Sequence, residues 1–504
     1  MAGLEPLSER IARAVRQVQY DALPPQVVEQ ARLRFLDFIA TAAAAAGQPS
    51  PNCSIQQPDA GPPVAEAPTA PSTIRWRSAA AALVYDAVCG FSAQVARVIG
   101  SGRFFSPTES AYLNACLTHA LDFDDGHSWA GVHAQASVIP AAIAAVQWAG
   151  AACRNNERRS MPGAAAHGEV TPADSNLPGS GFWGLSMPSE RRLLEAIVAG
   201  YEVAYRIGEV LSSDLIERGF HNTGISGVIG AAVAASKALE LDPARSQTAI
   251  GLACLHASGL RKVISDGEWA KPLQPANAAR NGLWSALLAI QAPAGPLTAL
   301  EGEGGFARAY AGPDIEPRLH AVFGDVGQRW AILDTYTKLY PCCRYVHPAI
   351  ESGIAIRTEA LQRSGRLSDG PSCRSVNSGV RWVAGQVQRI EVRTFTRAIK
   401  DTWGKPWPET PEQARFNLQF VTALALATGT VDVRGFDESY LRDVLLKEIG
   451  TRVTASADDH WDRQYPRVRG ATVTAHLSNG DSIAHETPLL RGSPEVPAGW
   501  DDIV

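Results

Sequence analysis

The first 300 residues of this chain form one apolar helical pattern after another, and this repetition most constrains the fold. In residues 24–46 apolar side chains recur at helical spacing, and Pro24 and Pro25 stand where the start of a helix tolerates proline. The same pattern returns in residues 190–211, 227–239, 243–259 and 276–292. Small residues are abundant in these segments and let helices approach closely. The pattern predicts a mainly α protein with a large all-α domain.

Two stretches interrupt the helices, and the pattern changes after about residue 330. Residues 48–73 and 155–188 are rich in Pro, Gly, Ser and Ala, which predicts surface loops or disordered insertions. Residues 387–395 alternate like a half-buried strand. Residues 467–476 and 481–486 flank Asn479-Gly480, a strong hairpin signal. Helical patterns cover residues 410–428 and 437–448. We therefore expect a helical domain at 1–330 and a smaller α+β lid domain at 331–504.

The charge balance argues against nucleic acid and anionic membranes as partners. The 504 residues contain 46 Lys and Arg against 51 Asp and Glu, which gives a formal charge of -5. The apolar runs are shorter or more interrupted than the roughly 20 residues that a membrane span needs. The N-terminus lacks the apolar core of a signal peptide, so we expect a cytoplasmic protein. The eight cysteines are scattered, which favours buried thiols over a disulfide framework.

The densest polar cluster is the segment His119-Ala-Leu-Asp-Phe-Asp-Asp-Gly-His127, followed by His133. Its carboxylates are Asp122, Asp124 and Asp125. Acids and imidazoles are costly to bury among alanine-rich helices without a purpose. Three explanations stay open from the residues alone: a metal site, an acid/base pair, or a helix end with capping acids and hydrogen-bonded histidines.

Three more residues could carry chemistry. His221 lies in the loop Gly-Phe-His-Asn-Thr-Gly before a small-residue helix, which suits an anion-binding or acid/base role, or a loop histidine with a backbone partner. Lys271 could hold a carboxylate or be a surface charge. Lys338 opens the segment that contains Cys342 and Cys343, whose lack of a second cysteine pair argues against zinc.

In this order the motifs resemble the MmgE/PrpD family, which includes 2-methylcitrate dehydratases and cis-aconitate decarboxylases. The resemblance rests on HALDFDDGH with His133, GFHNTG, WAKPL with AARNG, LEGEGGF and KLYPCCRYVHPAI. It runs from about residue 23 to the C-terminus, apart from the two insertions. It implies a large helical domain with an α+β lid, a homodimer, a site between the domains, and no metal or organic cofactor.

The resemblance also implies roles for individual residues. His133 and His221 would be the acid/base residues, with Asp122 orienting an imidazole. Lys271 and Lys338 would anchor substrate carboxylates. The remaining positions expected to bind substrate are Asp125, Gly126, His127, Gln274 and Phe420. Three of these depart from the family pattern: Gly126 where a threonine is frequent, Gln274 in place of a histidine, and Phe420 in place of a tyrosine.

The leading functional hypothesis is a cofactor-independent lyase that dehydrates or decarboxylates a tricarboxylate or alkylcitrate-like acid. A first alternative keeps the scaffold but isomerises or cyclises a larger, less charged secondary metabolite, which the Pro-rich insertions and a roomier pocket near Gly126 and Phe420 would suit. A second alternative is a non-catalytic binding scaffold. That alternative predicts that His133, His221 and Lys271 do not converge in space.

Overall fold

The computed structural model describes residues 5–47, 94–159, 187–266, 269–292, 294–364 and 376–503. The insertion predicted at 48–73 lies outside the described residues, and so do residues 160–186 of the second insertion. Residues 155–159 and 187–188, expected in that loop, belong instead to the flanking helices. The prediction of a mainly α protein is confirmed.

Helices make up nearly all of the N-terminal part. They are α1 (Leu7–Arg16), α2 (Pro25–Ala46), α3 (Pro107–Ala120), α4 (Ala134–Arg159), α5 (Met187–Glu217), α6 (Asn222–Ala238), α7 (Pro243–Leu255), α8 (Lys262–Asp266), α9 (Leu273–Gln291), α10 (Phe306–Ala311) and α11 (Glu316–Val322). Two short antiparallel ladders join them: β1 (Ala96–Arg97) with β2 (Phe104–Phe105), and β3 (Gly126–His127) with β4 (Thr335–Tyr336).

Helix α6 is the centre of this part, because every residue along it except Lys237 is buried. It packs against α4, α5, α7 and α9. Glycine makes close approaches feasible: a Cβ at Gly230 would lie 2.6 Å from Cβ of Ala204 and 2.8 Å from the carbonyl oxygen of Gly200. The small residues that suggested close helix packing in the sequence therefore lie at these contacts.

The C-terminal part combines helices with a four-stranded sheet. Its strands are β5 (Val387–Thr394), β6 (Val453–Ala457), β7 (Ala471–Leu477) and β8 (Ser482–Thr487), in the order β6-β5-β7-β8. Strand β5 pairs parallel with β6 and antiparallel with β7, and β7 forms the predicted hairpin with β8. The helices are α12 (His347–Arg363), α13 (Val376–Gln386), α14 (Thr396–Thr402), α15 (Pro411–Ala414), α16 (Leu418–Thr428), α17 (Glu438–Leu441), α18 (Val444–Thr451), α19 (Asp459–Asp462) and α20 (Trp500–Ile503).

Two predicted helices are each divided in two. The helix expected over 410–428 breaks between α15 and α16, where the side chain of Asn417 accepts a hydrogen bond from the N–H of Phe420 at 3.0 Å. The one expected over 437–448 breaks between α17 and α18, where Asp443 caps in the same way. Such side chains replace the missing helical hydrogen bonds and start a new helix. The helix expected over 243–259 ends at Leu255.

The described core residues separate into two large hydrophobic clusters. One runs from Leu7 to Ile332 and the other from Cys342 to Ile483. We propose that the domain boundary expected near residue 330 lies between them. No helix in the described ranges is long and apolar enough to cross a bilayer. Among the described cysteines, Cys116, Cys254, Cys342 and Cys343 are free thiols.

Candidate active site

Helix α3 leads directly into the acidic motif, whose acids and histidines are buried. It begins with a capping box, in which Oγ of Ser106 accepts from the N–H of Glu109 and the Glu109 carboxylate accepts from the N–H of Ser106. His119 lies in its last turn. Just beyond the helix, Asp122 adopts a left-handed backbone conformation with φ of 50°. Asp tolerates this conformation better than most residues.

Two lysines that are distant in sequence meet on Asp122. Nζ of Lys271 lies 2.6 Å from Oδ1, and Nζ of Lys338 lies 3.2 Å from Oδ2. Lys338 also donates to the backbone carbonyl of Asp122 at 2.7 Å. Burial alone would raise the pKa of Asp122, but the charges of Lys271 and Lys338 hold it well below its usual value. One carboxylate is therefore the counter-ion of two buried ammonium groups.

His119 connects this lysine pair to a second acid. Its Nδ1 lies 2.7 Å from Oδ2 of Asp124, and its Nε2 contacts the ammonium of Lys271. A carboxylate can only accept, so Nδ1 carries the hydrogen and Nε2 accepts from the lysine. Burial lowers the pKa of His119 despite the nearby charge of Asp124. His119 belonged to the motif that the sequence singled out, although no role was predicted for it.

His133 and His221 present neutral imidazoles beside this network. Nδ1 of His133 donates to the carbonyl of Asp125 at 2.6 Å, which leaves Nε2 as an acceptor. Burial lowers the pKa of His133 to about 3, with help from Lys338 and Lys271. Among the described residues, Nδ1 of His221 is buried without a partner, and burial and Lys271 hold the pKa of His221 well below its usual value. The two rings lie 5.2 Å and 6.3 Å from that of His119.

These groups face one cavity of about 80 Å³. It brings together Asp122, His133, His221, Lys271 and Lys338, the residues expected to perform catalysis and hold carboxylates. Sequence reasoning missed several other lining residues: Arg261, Tyr336, Cys343, Arg344, Asp401, Phe416 and Arg469. Cys343 and Arg344 lie in the motif that supplied Lys338, which was a usable signal. Arg469 had no such signal, because it follows a turn that lies more than 120 residues beyond Arg344 in the chain.

The three residues after Asp124 do not line this cavity. Oδ2 of Asp125 accepts from the hydroxyl of Tyr201 at 2.7 Å and lies 3.8 Å from Nη1 of Arg34. Burial raises the pKa of Asp125 to about 7. Gly126 pairs with Tyr336 in the short ladder. Nε2 of His127 lies 3.3 Å from a carboxylate oxygen of Glu209, and Glu209 also binds Arg329. These residues contact the structure around the site and do not face the cavity.

Gln274 and Phe420, also expected to bind substrate, are not among the residues that line the cavity either. Gln274 donates to the carbonyl of Leu260 at 2.8 Å. Phe420 is fully buried, with its ring 5.4 Å from that of Trp407. Because α16 begins at Leu418, residue 420 turns into the hydrophobic cluster. Phe416 precedes the helix and faces the cavity, where the ammonium of Lys271 lies 5.5 Å from its ring centre.

Two groups of side chains have the composition of a metal site. The first is His119, Asp124 and His133, and the second is His127, Glu209 and Asp334. In the first, Nδ1–H of each imidazole points at an oxygen atom that can only accept. Neither Nδ1 therefore has a free lone pair for a metal ion. In the second, Nδ1 of His127 accepts from the N–H of Ala130, which places the hydrogen on Nε2, towards the acids. Both arrangements suit hydrogen bonding better than metal ligation.

Comparison with known families gives the same result as the motifs. A model of the MmgE/PrpD N-terminal domain matches residues 9–318, and a model of the MmgE/PrpD C-terminal domain matches residues 340–504. The chain belongs to the MmgE/PrpD family. The resemblance found in the sequence is thereby confirmed.

Within the MmgE/PrpD family, similar proteins come from fungi and animals. The cis-aconitate decarboxylase-like protein oryM of Aspergillus oryzae is 26% identical over 78% of this chain and 74% of its own length. Cis-aconitate decarboxylase of Aspergillus terreus is 29% identical over 78% of this chain and 73% of its own. Cis-aconitate decarboxylase of Homo sapiens is 24% identical over 79% of this chain and 71% of its own. The family and these relatives make the chain a lyase of the MmgE/PrpD type.

Proposed function

We propose that this MmgE/PrpD lyase removes carbon dioxide from an unsaturated tricarboxylate and returns a proton to carbon. The observation that carries the proposal is an excess of positive charge around two neutral imidazoles in one cavity. The cationic lining residues, within the described ranges, are Arg261, Lys271, Lys338, Arg344 and Arg469. The acids are Asp122 and Asp401. Three positive charges remain in excess, which complements a substrate with three carboxylates.

The two lysines are suited to hold substrate carboxylates. Each ammonium has three N–H donors. Lys271 uses two of them, on Asp122 and His119. Lys338 uses one on the backbone carbonyl of Asp122, and its ammonium also forms an ion pair with the Asp122 carboxylate. At least one donor on each lysine is left for a ligand. Because the lysines share a single acid, a bound carboxylate also relieves their mutual repulsion.

The reaction we propose breaks the bond between a carboxylate and the carbon chain. Carbon dioxide leaves, and the electron pair of that bond moves through the adjacent double bond to its far carbon, which accepts a proton. Lys271 and Lys338 stabilise the negative charge that spreads onto the remaining carboxylates. We assign the proton donor as His221, because a bound trianion counteracts the burial and the repulsion from Lys271 that keep its imidazole neutral.

Dehydration is the second candidate, and the position of His133 favours it. Its Nδ1 is held by the carbonyl of Asp125, so a neutral imidazole presents Nε2 to the cavity. Such a group can remove a proton next to a carboxylate from an alkylcitrate, after which the hydroxide leaves as water by taking that proton from the imidazolium. The names of the relatives support decarboxylation in preference.

The other hypotheses have less support. A larger, less charged secondary metabolite requires a roomy apolar cavity, whereas this one holds about 80 Å³ and is ringed by cations. A non-catalytic scaffold requires that His133, His221 and Lys271 do not converge, whereas all three line one cavity. We retain as further proposals that the enzyme works without metal or organic cofactor, as a homodimer and in the cytoplasm.

Incubation with candidate acids tests the function. The purified chain is given cis-aconitate, an alkyl-substituted homologue and 2-methylcitrate, and products are analysed by mass spectrometry with measurement of released carbon dioxide. Loss of carbon dioxide from an unsaturated tricarboxylate is the expected result, and loss of water from 2-methylcitrate would support the second candidate. Lys271→Met should be inactive, whereas Lys447→Met, at an exposed position, should match the parent. Absence of both reactions overturns the proposal.

A further inference from the structure

A tyrosine in contact with two arginines forms part of the cavity lining. We call Tyr336, Arg344 and Arg469 the arginine–tyrosine wall. The guanidinium carbon of Arg344 lies 4.9 Å from the ring centre of Tyr336, and that of Arg469 lies 5.6 Å from it. All three side chains line the cavity and are at most 7% exposed. The wall therefore presents to the cavity two guanidinium groups and a phenol that are largely shielded from solvent.

Neither guanidinium forms a direct ion pair within the described ranges. No described carboxylate lies within 4 Å of Arg344 or Arg469, whereas the buried Arg34 and Arg206 each have such a partner. Arg344 donates to neutral acceptors, among them Oγ of Ser493 at 2.8 Å. Arg469 donates to the carbonyl of Ser128 at 2.7 Å, and its Nε is buried without a partner. Burying a cation without an anion is costly. A bound carboxylate would remove that cost.

Gly126 is required for this wall to exist. A Cβ built on Gly126 would lie 2.6 Å from Cζ of Tyr336 and closer still to its hydroxyl oxygen. Any other residue at 126 would displace the phenol, because the two residues are directly opposed in the ladder of β3 and β4. The glycine that departs from the family pattern thus coincides with a tyrosine that occupies the space a larger side chain would fill.

We propose that the arginine–tyrosine wall is a binding subsite for one carboxylate of the substrate, separate from the lysine pair, and that Gly126 makes room for it. The inference rests on the proposed function, because it assigns one of three carboxylates. Lys271 and Lys338 then hold a carboxylate near Asp122. The wall holds another through Arg469, Arg344 and the phenol hydroxyl, and thereby distinguishes tricarboxylates from dicarboxylates.

Calorimetric binding of two unreactive probes tests this subsite. Propane-1,2,3-tricarboxylate should bind the parent chain more tightly than pentanedioate. Arg469→Gln should weaken binding of the tricarboxylate by about 10- to 100-fold and that of the dicarboxylate by less than about threefold, since one charge-assisted contact is lost. Tyr336→Phe removes one oxygen and should weaken binding of the tricarboxylate by about threefold to tenfold. This variant provides the test if Arg469→Gln fails to fold. Arg442→Gln is the matched control, at an arginine that is 79% exposed.

A double-mutant cycle tests the role of Gly126. Gly126→Ala alone should weaken binding of the tricarboxylate by about tenfold. In a Tyr336→Ala background, where the space beside residue 126 is free, the same substitution should change binding less than twofold. Equal effects in both backgrounds, or unchanged discrimination between the two probes in Arg469→Gln and Tyr336→Phe, would overturn the subsite and leave the lyase proposal standing. A parent chain that neither binds nor converts any tricarboxylate would overturn both.

Discussion

Lys338 donates a hydrogen bond to the backbone carbonyl of Asp122 at 2.7 Å, across 216 residues of sequence. The bond holds the motif that follows α3 against the segment that begins the C-terminal part. The second contact of Lys338, with the Asp122 carboxylate, places its ammonium beside that of Lys271. Asp122 is therefore the residue on which both lysines depend.

Replacing Asp122 should damage both stability and activity. Asp122→Asn is the informative change, because asparagine accepts the left-handed backbone at φ 50° whereas alanine would add strain. Two buried ammonium groups would lose their counter-ion, so we expect the free energy of unfolding to fall by about 3 kcal/mol. We expect kcat/KM to fall on the order of 100-fold or more, since the lysines would no longer be positioned. Chemical denaturation and steady-state kinetics measure these effects. Asp432→Asn, in an exposed ion pair, should change neither.

The two cavity histidines should be needed for turnover but not for folding. His133→Ala and His221→Ala are each expected to lower kcat by about 100-fold or more, in line with the loss of an acid/base group. Thermal unfolding should show that both variants keep a cooperative transition. His460→Ala, at an exposed histidine, serves as control. Full activity in either cavity variant would remove that histidine from the mechanism.

Binding of a tricarboxylate should draw protons from solution near pH 7. In the free protein, burial and the lysines keep His133 and His221 neutral, with the pKa of His133 lowered to about 3. Three added negative charges favour the imidazolium form and raise both pKa values. Calorimetry in buffers with different heats of ionisation should therefore report net proton uptake, and His221→Gln should reduce it. A binding heat independent of the buffer would contradict this.

Asp125 should make the protein less stable as pH rises towards 8. Burial raises its pKa to about 7 in the folded state, against about 3.9 in an unfolded chain. Between these values the folded state binds more protons, so its stabilising contribution is full below pH 4 and is lost as pH rises through 7. The loss is at most about 4 kcal/mol, because the two pKa values differ by about 3 and a difference of 1 corresponds to about 1.4 kcal/mol.

The matching measurement compares thermal unfolding of the parent chain and Asp125→Asn at several pH values. The parent should lose stability between pH 5 and 8, and the variant should lose less, because asparagine does not titrate. A residual slope is expected from Asp37, whose pKa burial raises to about 6. Identical pH profiles for the two proteins would show that Asp125 does not titrate in this range.

Much of the fold could be predicted from the sequence because its signals are local. Apolar spacing placed the helices that became α2, α5, α6, α7 and α9, and Asn479-Gly480 placed the hairpin of β7 and β8. The errors were also local in origin. Asn417 and Asp443 accept backbone N–H groups inside apparently continuous helical patterns, and the new helices begin there.

The candidate site could be predicted only in part. Motifs identified Asp122, His133, His221, Lys271 and Lys338, which all face the cavity. They also suggested Phe420, which turns into the core, and gave no indication of Arg469. The direction of a side chain on a helix depends on where that helix begins, which decided the case of Phe420. A contact between segments far apart in the chain produces no periodic pattern in the sequence, which is why Arg469 was missed.

The sequence by itself determined that the chain is mainly helical, that it belongs to the MmgE/PrpD family, and which acids, lysines and imidazoles are available. Helical spacing and short motifs are properties of neighbouring residues, so they can be read in order. Only the tertiary structure decided that two lysines share Asp122, that His133 is held neutral, and that Tyr336 occupies the space left by Gly126. Desolvation and steric fit arise between residues far apart in the chain, and they exist only once the helices and strands have packed.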